Sequence, residues 1–184
     1  MVMRGPLPTP DVLASPSFVA VDFETANRAG GISACQIALV RFIDDEPVDT
    51  LNTLIRPPAE YSRFEFTYIH GITAADVVDA PTWDDIAWDV ARFAADDPVW
   101  AHNSAFDLGV WRALDAYYGT TSAPETMFCS YKTARKFVPG LPNYKLPTVT
   151  KHLAPDFELN HHEAGADAEA CGLIVSGLRG LTVF

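Results

Sequence analysis

Short apolar runs rich in β-branched residues, broken by polar turns, occupy the first part of the chain, and helical periodicity takes over later. Phe18 to Val21, Ala34 to Phe42 and Asp49 to Ile55 read as three strands of an antiparallel meander. A loop region runs from Pro57-Pro58 to Thr73. From Thr82 to Ala95, residues Trp83, Ile86, Ala87, Val90, Phe93 and Ala94 share one helical face, with Thr82 as N-cap. Pro98 to Ala101 reads as a buried strand, and Phe106 to Tyr118 as a helix carrying Val110, Leu114 and Tyr117 at helical spacing and ended by Gly119. Thr126 to Cys129 predicts a last short strand, followed by a helix from Tyr131 that stops near Pro139-Gly140. A short helix from Leu146 to Leu153, with Pro147 in its first turn, leads to a final helix from Glu163 to Leu178 with Ala170, Cys171, Ile174 and Leu178 on its buried stripe. A meander followed by alternating helices and strands predicts an α/β fold, a mixed sheet covered by helices.

The length of 184 residues suits one domain with a real core. No internal repeat is visible. Residues 1–16 read as a loosely ordered N-terminal extension and 17–184 as the folded domain; Trp83, Trp88 and Trp111 are assigned to the core. No apolar run approaches the ~20 residues of a membrane span. The start lacks an apolar stretch followed by a small-residue cleavage site, so it does not read as a secretory signal, and a cytoplasmic location is expected. Cys35, Cys129 and Cys171 are widely spaced among apolar neighbours, which predicts reduced core thiols and not a disulfide framework or zinc knuckle. The formal charge of -11 argues against a surface that grips long stretches of nucleic acid. It is compatible with a carboxylate cluster that recruits divalent cations, and equally with a solubilising surface.

Three constellations carry candidate chemistry. Asp22-Phe23-Glu24 follows the first apolar run, and residues two apart on an extended chain point the same way, so two carboxylates converge. Asp-x-Glu recurs at Asp44/Glu46, Asp156/Glu158 and Asp167/Glu169, but only Asp22/Glu24 ends a run that would place it in the middle of a sheet. Trp100 to Asp107 combines a buried strand, a polar turn and a helix start. Asn103 and Ser104 are both candidate caps, and Asp107 either joins a metal site or complements the helix N-terminus. His161-His162-Glu163-Ala164-Gly165-Ala166-Asp167 is the third. Asp167 lies on the buried stripe of the last helix and needs a partner there. On a continuous helix His162 would point roughly 140° away from it, which puts His162 on the preceding loop, where an imidazole suits general-base work or is simply a polar loop residue.

Taken in order, these segments resemble the DEDDh exonucleases, the superfamily of the proofreading epsilon subunit of bacterial replicative DNA polymerase. The likeness spans about Ser17 to Gly177, through Val19-Ala20-Val21-Asp22-Phe23-Glu24-Thr25, Ala101-His102-Asn103-Ser104-Ala105-Phe106-Asp107 and His162 to Asp167. Tyr68-Ile69-His70-Gly71-Ile72-Thr73 and Ala80-Pro81-Thr82-Trp83 match intervening family segments. The family carries a histidine five positions before its last Asp, or in a sister branch a tyrosine four before it; His162 fits the first, and His161 is given no catalytic role.

The resemblance implies a ribonuclease H-like fold, a five-stranded mixed sheet with the carboxylates at its centre. It implies 3′-to-5′ hydrolysis with release of nucleoside 5′-monophosphates by two Mg²⁺ or Mn²⁺ ions, since oxygen-only ligation favours hard cations. Asp22 would bridge both ions, Glu24 and Asp167 would complete one site, Asp107 would hold the second ion, and His162 would be the general base. Thr25 would meet the terminal nucleotide, Ile69 and His70 would flank its base, Phe106 would buttress the site, and Asn103 would orient its loop or a phosphate, or cap the helix. The expected partner is a nucleic acid with a free 3′ end, single-stranded DNA favoured; RNA exonuclease and non-catalytic 3′-end-binding module are the alternatives. Lys132, Arg135, Lys136, Lys145 and Lys151 lie in an acid-free stretch from Ser130 to Pro155, either a basic flank for the strand or ordinary solvated cations. The epsilon subunit has a C-terminal tether to its polymerase with no counterpart before Phe184, so a stand-alone nuclease is expected over a polymerase-bound one. A homodimer is left open, with no interface read.

Overall fold

The computed structural model describes residues 5–182. Met1 to Arg4, part of the expected N-terminal extension, and the final Val183 and Phe184 of the expected domain lie outside the described residues. A five-stranded sheet forms the centre, with β1 (Ser17–Thr25), β2 (Ala34–Ile43), β3 (Glu46–Leu54), β4 (Val99–Ala101) and β5 (Met127–Cys129) in the order β3-β2-β1-β4-β5. β1, β2 and β3 pair antiparallel, while β4 joins β1 and β5 joins β4 in parallel, which is the mixed sheet that the meander and the later alternation imply.

The side-chain alternation of β1 and β2 assigns each face to its own helices. Phe18, Ala20, Val40 and Phe42 pack in one cluster with α5 (Ser130–Phe137), α6 (Leu146–Leu153) and α7 (Ala164–Thr182). Val19, Val21, Phe23, Ile37 and Leu39 pack in the other with α3 (Trp83–Ala94) and α4 (Ser104–Tyr118). The Phe18 and Phe42 rings stack at 5.0 Å. α7 can press onto them only because residue 172 is glycine: a Cβ there would stand 2.0 Å from the Phe42 ring.

Local rules set the helix ends. Asp85 accepts both the N–H and the hydroxyl of Thr82, closing a capping box on α3. Gly119, at φ 72°, ends α4. All three cysteines are buried and free.

Several elements differ from expectation. β1 continues past Val21 through Thr25, so Asp22 and Glu24 sit within the strand and not after it. α2 (Thr67–His70) interrupts what reads as loop, and α1 (Pro10–Leu13) precedes β1 with Leu13 buried in the core. Trp83 and Trp111 are fully buried, but Trp88 is 63% exposed on α3, and Tyr117 lies on the surface, where its hydroxyl donates to Glu60. Among the described residues no helix is long and apolar enough to cross a membrane.

Candidate active site

The site exists because β1 outruns β4. The parallel pairing covers only Val19 and Ala20, and the odd-numbered amides of β1 point toward β4, as the Val19 N–H donating to Pro98 O shows. Beyond the end of β4 the Phe23 N–H has no strand partner, and it donates instead to Asp107 Oδ1 (3.2 Å) from the first turn of α4. Asp22 and Glu24 lie on the opposite-parity positions, on the face that α7 covers, and Asp167 in the first turn of α7 approaches them. Oxygens of Asp22, Glu24 and Asp167 fall within 4.8 Å of one another. Asp107, bound to the strand amide on the α4 side, lies outside this group of converging oxygens, although its charge acts on Asp22.

Burial and mutual repulsion make these carboxyls poor anions on their own. Burial, then the neighbouring Asp107, Asp167 and Glu24 charges, hold Asp22 well above the usual range. Burial, then Asp167 and Asp107, push Glu24 to about 8. Burial carries Asp107 to about 8 against the Phe23 hydrogen bond, and burial raises Asp167 against its histidine contacts. Among the described residues the only ion pair to any of the four is His161 with Asp167. Clustered oxygen ligands without a compensating cation fit hard divalent ions.

The loop before α7 is shaped by its acids. Glu163 accepts the N–H groups of Gly165 and Ala166, capping the helix, and also bonds to Gln36 and Asn52 on the sheet. His162 takes the left-handed conformation at φ 72° and donates its own N–H to Asp167 Oδ2 (3.1 Å). Its ring stacks on His161 at 3.7 Å. His161 Nδ1 faces both Asp167 oxygens at 3.0 and 2.9 Å, so the side chain given no role in catalysis is the one that holds this carboxylate. One ring nitrogen of each imidazole and one Asp167 oxygen lie within 4.8 Å of one another. Burial and the adjacent His161 lower the pKa of His162.

All of this opens into a cleft of about 740 Å³. The RNase T family of exonucleases matches residues 19–175, nearly the whole span from β1 to α7. The chain is a DEDDh-family 3′-to-5′ exonuclease. It is 32% identical over 165 residues to DNA polymerase III PolC-type of Oceanobacillus iheyensis and 31% over 159 residues to that of Clostridium perfringens, 86% of this chain in each case. It spans only 11% of the length of these relatives. Among solved structures, Exonuclease X in complex with 5′ overhanging duplex DNA is 25% identical with a TM-score of 0.65, covering 89% of this chain and 90% of that one. The nuclease domain of 3′hExo, a DEDDh family member bound to rAMP, shares the fold at a TM-score of 0.75 and 16% identity, over 89% and 91% of the two chains. The fold is ribonuclease H-like, the enzyme is a hydrolase, and its family implies divalent metal ions.

The remaining expected residues of the exonuclease divide between cleft and rim. Phe106, 46% exposed, and Asn103 line the cleft; Asn103 is the left-handed N-cap of α4, but its side chain makes no capping bond. Thr25 is buried at a bulge where the β1–β2 register shifts. His70 Nδ1 accepts the Ile72 N–H, which leaves Nε2–H to donate to Thr25 O (3.2 Å) and fastens α2 beside the end of β1, with Ile69 half-exposed next to it. His102, Tyr131, Lys145 and Leu146 also line the cleft. Of these the sequence reading reached only Lys145, as one of five cations; the position of His102 directly before Asn103 was the available signal for another.

Proposed function

We propose that this exonuclease shortens single-stranded DNA from its 3′ end, releasing nucleoside 5′-monophosphates, with two Mg²⁺ or Mn²⁺ ions held by Asp22, Glu24, Asp107 and Asp167. The observation that carries the reading is the convergence of Asp22, Glu24 and Asp167 oxygens within 4.8 Å, beside His162 and at the floor of an open cleft. Bound there, such ions would neutralise the scissile phosphate and supply Lewis acidity. A ring nitrogen of His162 takes the proton of the attacking water; its lowered pKa keeps the imidazole unprotonated near neutrality and ready to accept. The water oxygen bonds to phosphorus as the bond from phosphorus to the 3′ oxygen of the penultimate nucleotide breaks. That oxygen takes a proton from solvent and leaves as a new 3′ hydroxyl, and the phosphate departs with the terminal nucleoside. Thr25 and Phe106, with Ile69 and His70 on the rim, receive the terminal nucleotide, and Asn103 orients the loop beside it. DNA as substrate is supported by the relatives, PolC-type DNA polymerases and an Exonuclease X in complex with DNA.

The test incubates 5′-labelled single-stranded DNA and matched RNA with the protein in Mg²⁺, Mn²⁺ or EDTA, beside Asp22→Ala and His162→Ala. A metal-dependent ladder shortening from the 3′ end, faster on DNA and lost in both variants, is expected. Faster shortening of RNA would replace the substrate, and binding of 3′ ends without any shortening would replace catalysis by an end-binding role.

A further inference from the structure

The acid-free stretch from Ser130 to Pro155 separates in the fold into cations with very different surroundings. Lys132 Nζ donates to Gly5 O (2.5 Å). The Arg135 guanidinium lies over the rings of Tyr131 and Tyr144 at 5.8 and 5.9 Å, and Lys136 lies over Phe137 at 5.2 Å. Lys151 borders a separate small depression with Phe157 and Leu159. Lys145 alone among them lines the cleft that holds Asp22, Glu24 and Asp167, and no other lysine or arginine of the described residues lines it.

The base of Lys145 is fixed while its side chain is exposed. Its N–H donates to Asn143 Oδ1 (3.0 Å), which also accepts the Thr148 hydroxyl, and its carbonyl accepts the N–H groups of Thr148 and Val149 at the start of α6. The preceding residue is clamped from both sides. Tyr144 O accepts from His102 Nε2 (2.9 Å), and the Tyr144 hydroxyl donates to Val138 O (2.7 Å). His102 itself, pushed down to about 4 by burial, adds no charge to the wall at neutral pH. Lys145 forms no ion pair with any described carboxylate, although it shares a cleft with three of them. An exposed ammonium on a rigid base, in no ion pair with the acids that share its cleft, is placed to meet an anion that enters from outside.

We propose that Lys145 binds a backbone phosphate of the substrate strand on the 5′ side of the scissile bond, so that substrates with more than one phosphodiester are gripped at a second point. The inference rests on the exonuclease reading above and adds to it a source of length preference. The scissile phosphate belongs to the carboxylate floor; the wall formed by the Asn143–Lys145 turn is available to the next phosphate along. In a chain of net charge -11 a single positioned ammonium has a large share in holding a polyanion.

The test measures KM and kcat on the dinucleotide d(TpT), which has only the scissile phosphate, and on d(T)6, for the unaltered protein and the Lys145→Gln and Lys145→Arg variants. Lys145→Gln should raise KM for d(T)6 about tenfold, the loss of one charge-assisted contact, while KM for d(TpT) moves less than about twofold. Lys145→Arg should restore most of the loss. The slope of log affinity for d(T)6 against log salt, measured by anisotropy in Ca²⁺, should fall by about 0.7, one phosphate contact on a single strand. Equal loss on both substrates would put Lys145 on the scissile phosphate and overturn the proposal, as would no change on either. An inactive unaltered protein would instead strike at the exonuclease reading.

Discussion

His161 Nδ1 contacts both oxygens of Asp167, at 3.0 and 2.9 Å, while the His161 ring lies stacked on His162. The histidine that precedes the proposed base therefore competes for the carboxylate that the proposed metal site needs. His161→Ala should lower the Mg²⁺ concentration for half-maximal activity by up to about tenfold, the worth of one hydrogen bond to a charged group. His162→Ala should instead reduce kcat by roughly 10²-fold or more, as expected for removal of a general base. Metal titrations of nuclease rate for the two variants check this; an unchanged Mg²⁺ requirement in His161→Ala would show that the contact does not oppose metal binding.

The crowded carboxylates predict that activity and metal-free stability conflict. Asp22→Asn replaces a carboxyl whose charged form is disfavoured by burial and by the neighbouring Asp107, Asp167 and Glu24 charges, a cost that a neutral amide does not carry in the folded state. In EDTA the variant should melt higher than the unaltered protein, by about 2–4 °C for each kcal/mol of repulsion relieved in a domain of this size, and it should be inactive in Mg²⁺. Calorimetry with and without metal measures both.

The same groups set a pH dependence. Glu24 and Asp107 titrate near 8 in the folded state and near the ordinary carboxyl range when unfolded, so between these limits the folded protein holds more protons. Metal-free stability should therefore fall as pH rises toward 8. The depressed pKa of His102 works the other way, adding stability as pH rises from about 4 to its ordinary value of 6.5. Above 6.5 that imidazole is neutral in both states, and the carboxyl contribution stands alone. Urea midpoints in EDTA between pH 6.5 and 8 should fall steadily, and saturating Mg²⁺ should flatten or reverse the slope.

Asp107 has two separable duties, charge and acceptor for the Phe23 N–H. Asp107→Asn keeps an acceptor, and Asp107→Ala leaves a buried strand amide unpaired at a cost of about 1–3 kcal/mol. Both should lose nuclease activity, whereas only the alanine variant should lose that stability in urea unfolding. Equal stability of the two would mean that the amide finds another partner.

Much of this architecture was legible because two periodicities were clean. Alternation along Phe18 to Glu24 put apolar side chains on both faces and carboxylates at one end, and the stripe through Asp167, Cys171, Ile174 and Leu178 aimed an acid at the sheet. What periodicity gives is an angle around an axis, not whether a neighbour covers it. Tyr117 was therefore assigned to an interior stripe that the fold leaves on the surface, and Trp88, expected in the core although it lies off the α3 stripe, is exposed as well. α2 is a single turn, too short to show a period, and it is held by the reach of His70 to Thr25 O across the chain. The part played by His161 escaped because motif spacing ranks histidines by position, and the contact with Asp167 depends on the left-handed backbone at His162.

The early stop of β4 at Ala101 has a further consequence. Asp22 and Glu24 stand at a notch in the sheet, a vacancy that one more stretch of paired strand would fill, and the helices that carry Asp107 and Asp167 meet it from outside the sheet. The choice of strand then falls to the segments around the notch, at His70, Asn103 and Lys145; the first two also hold the end of β1 and the start of α4 in place, while the Lys145 side chain is exposed and can be exchanged without touching either.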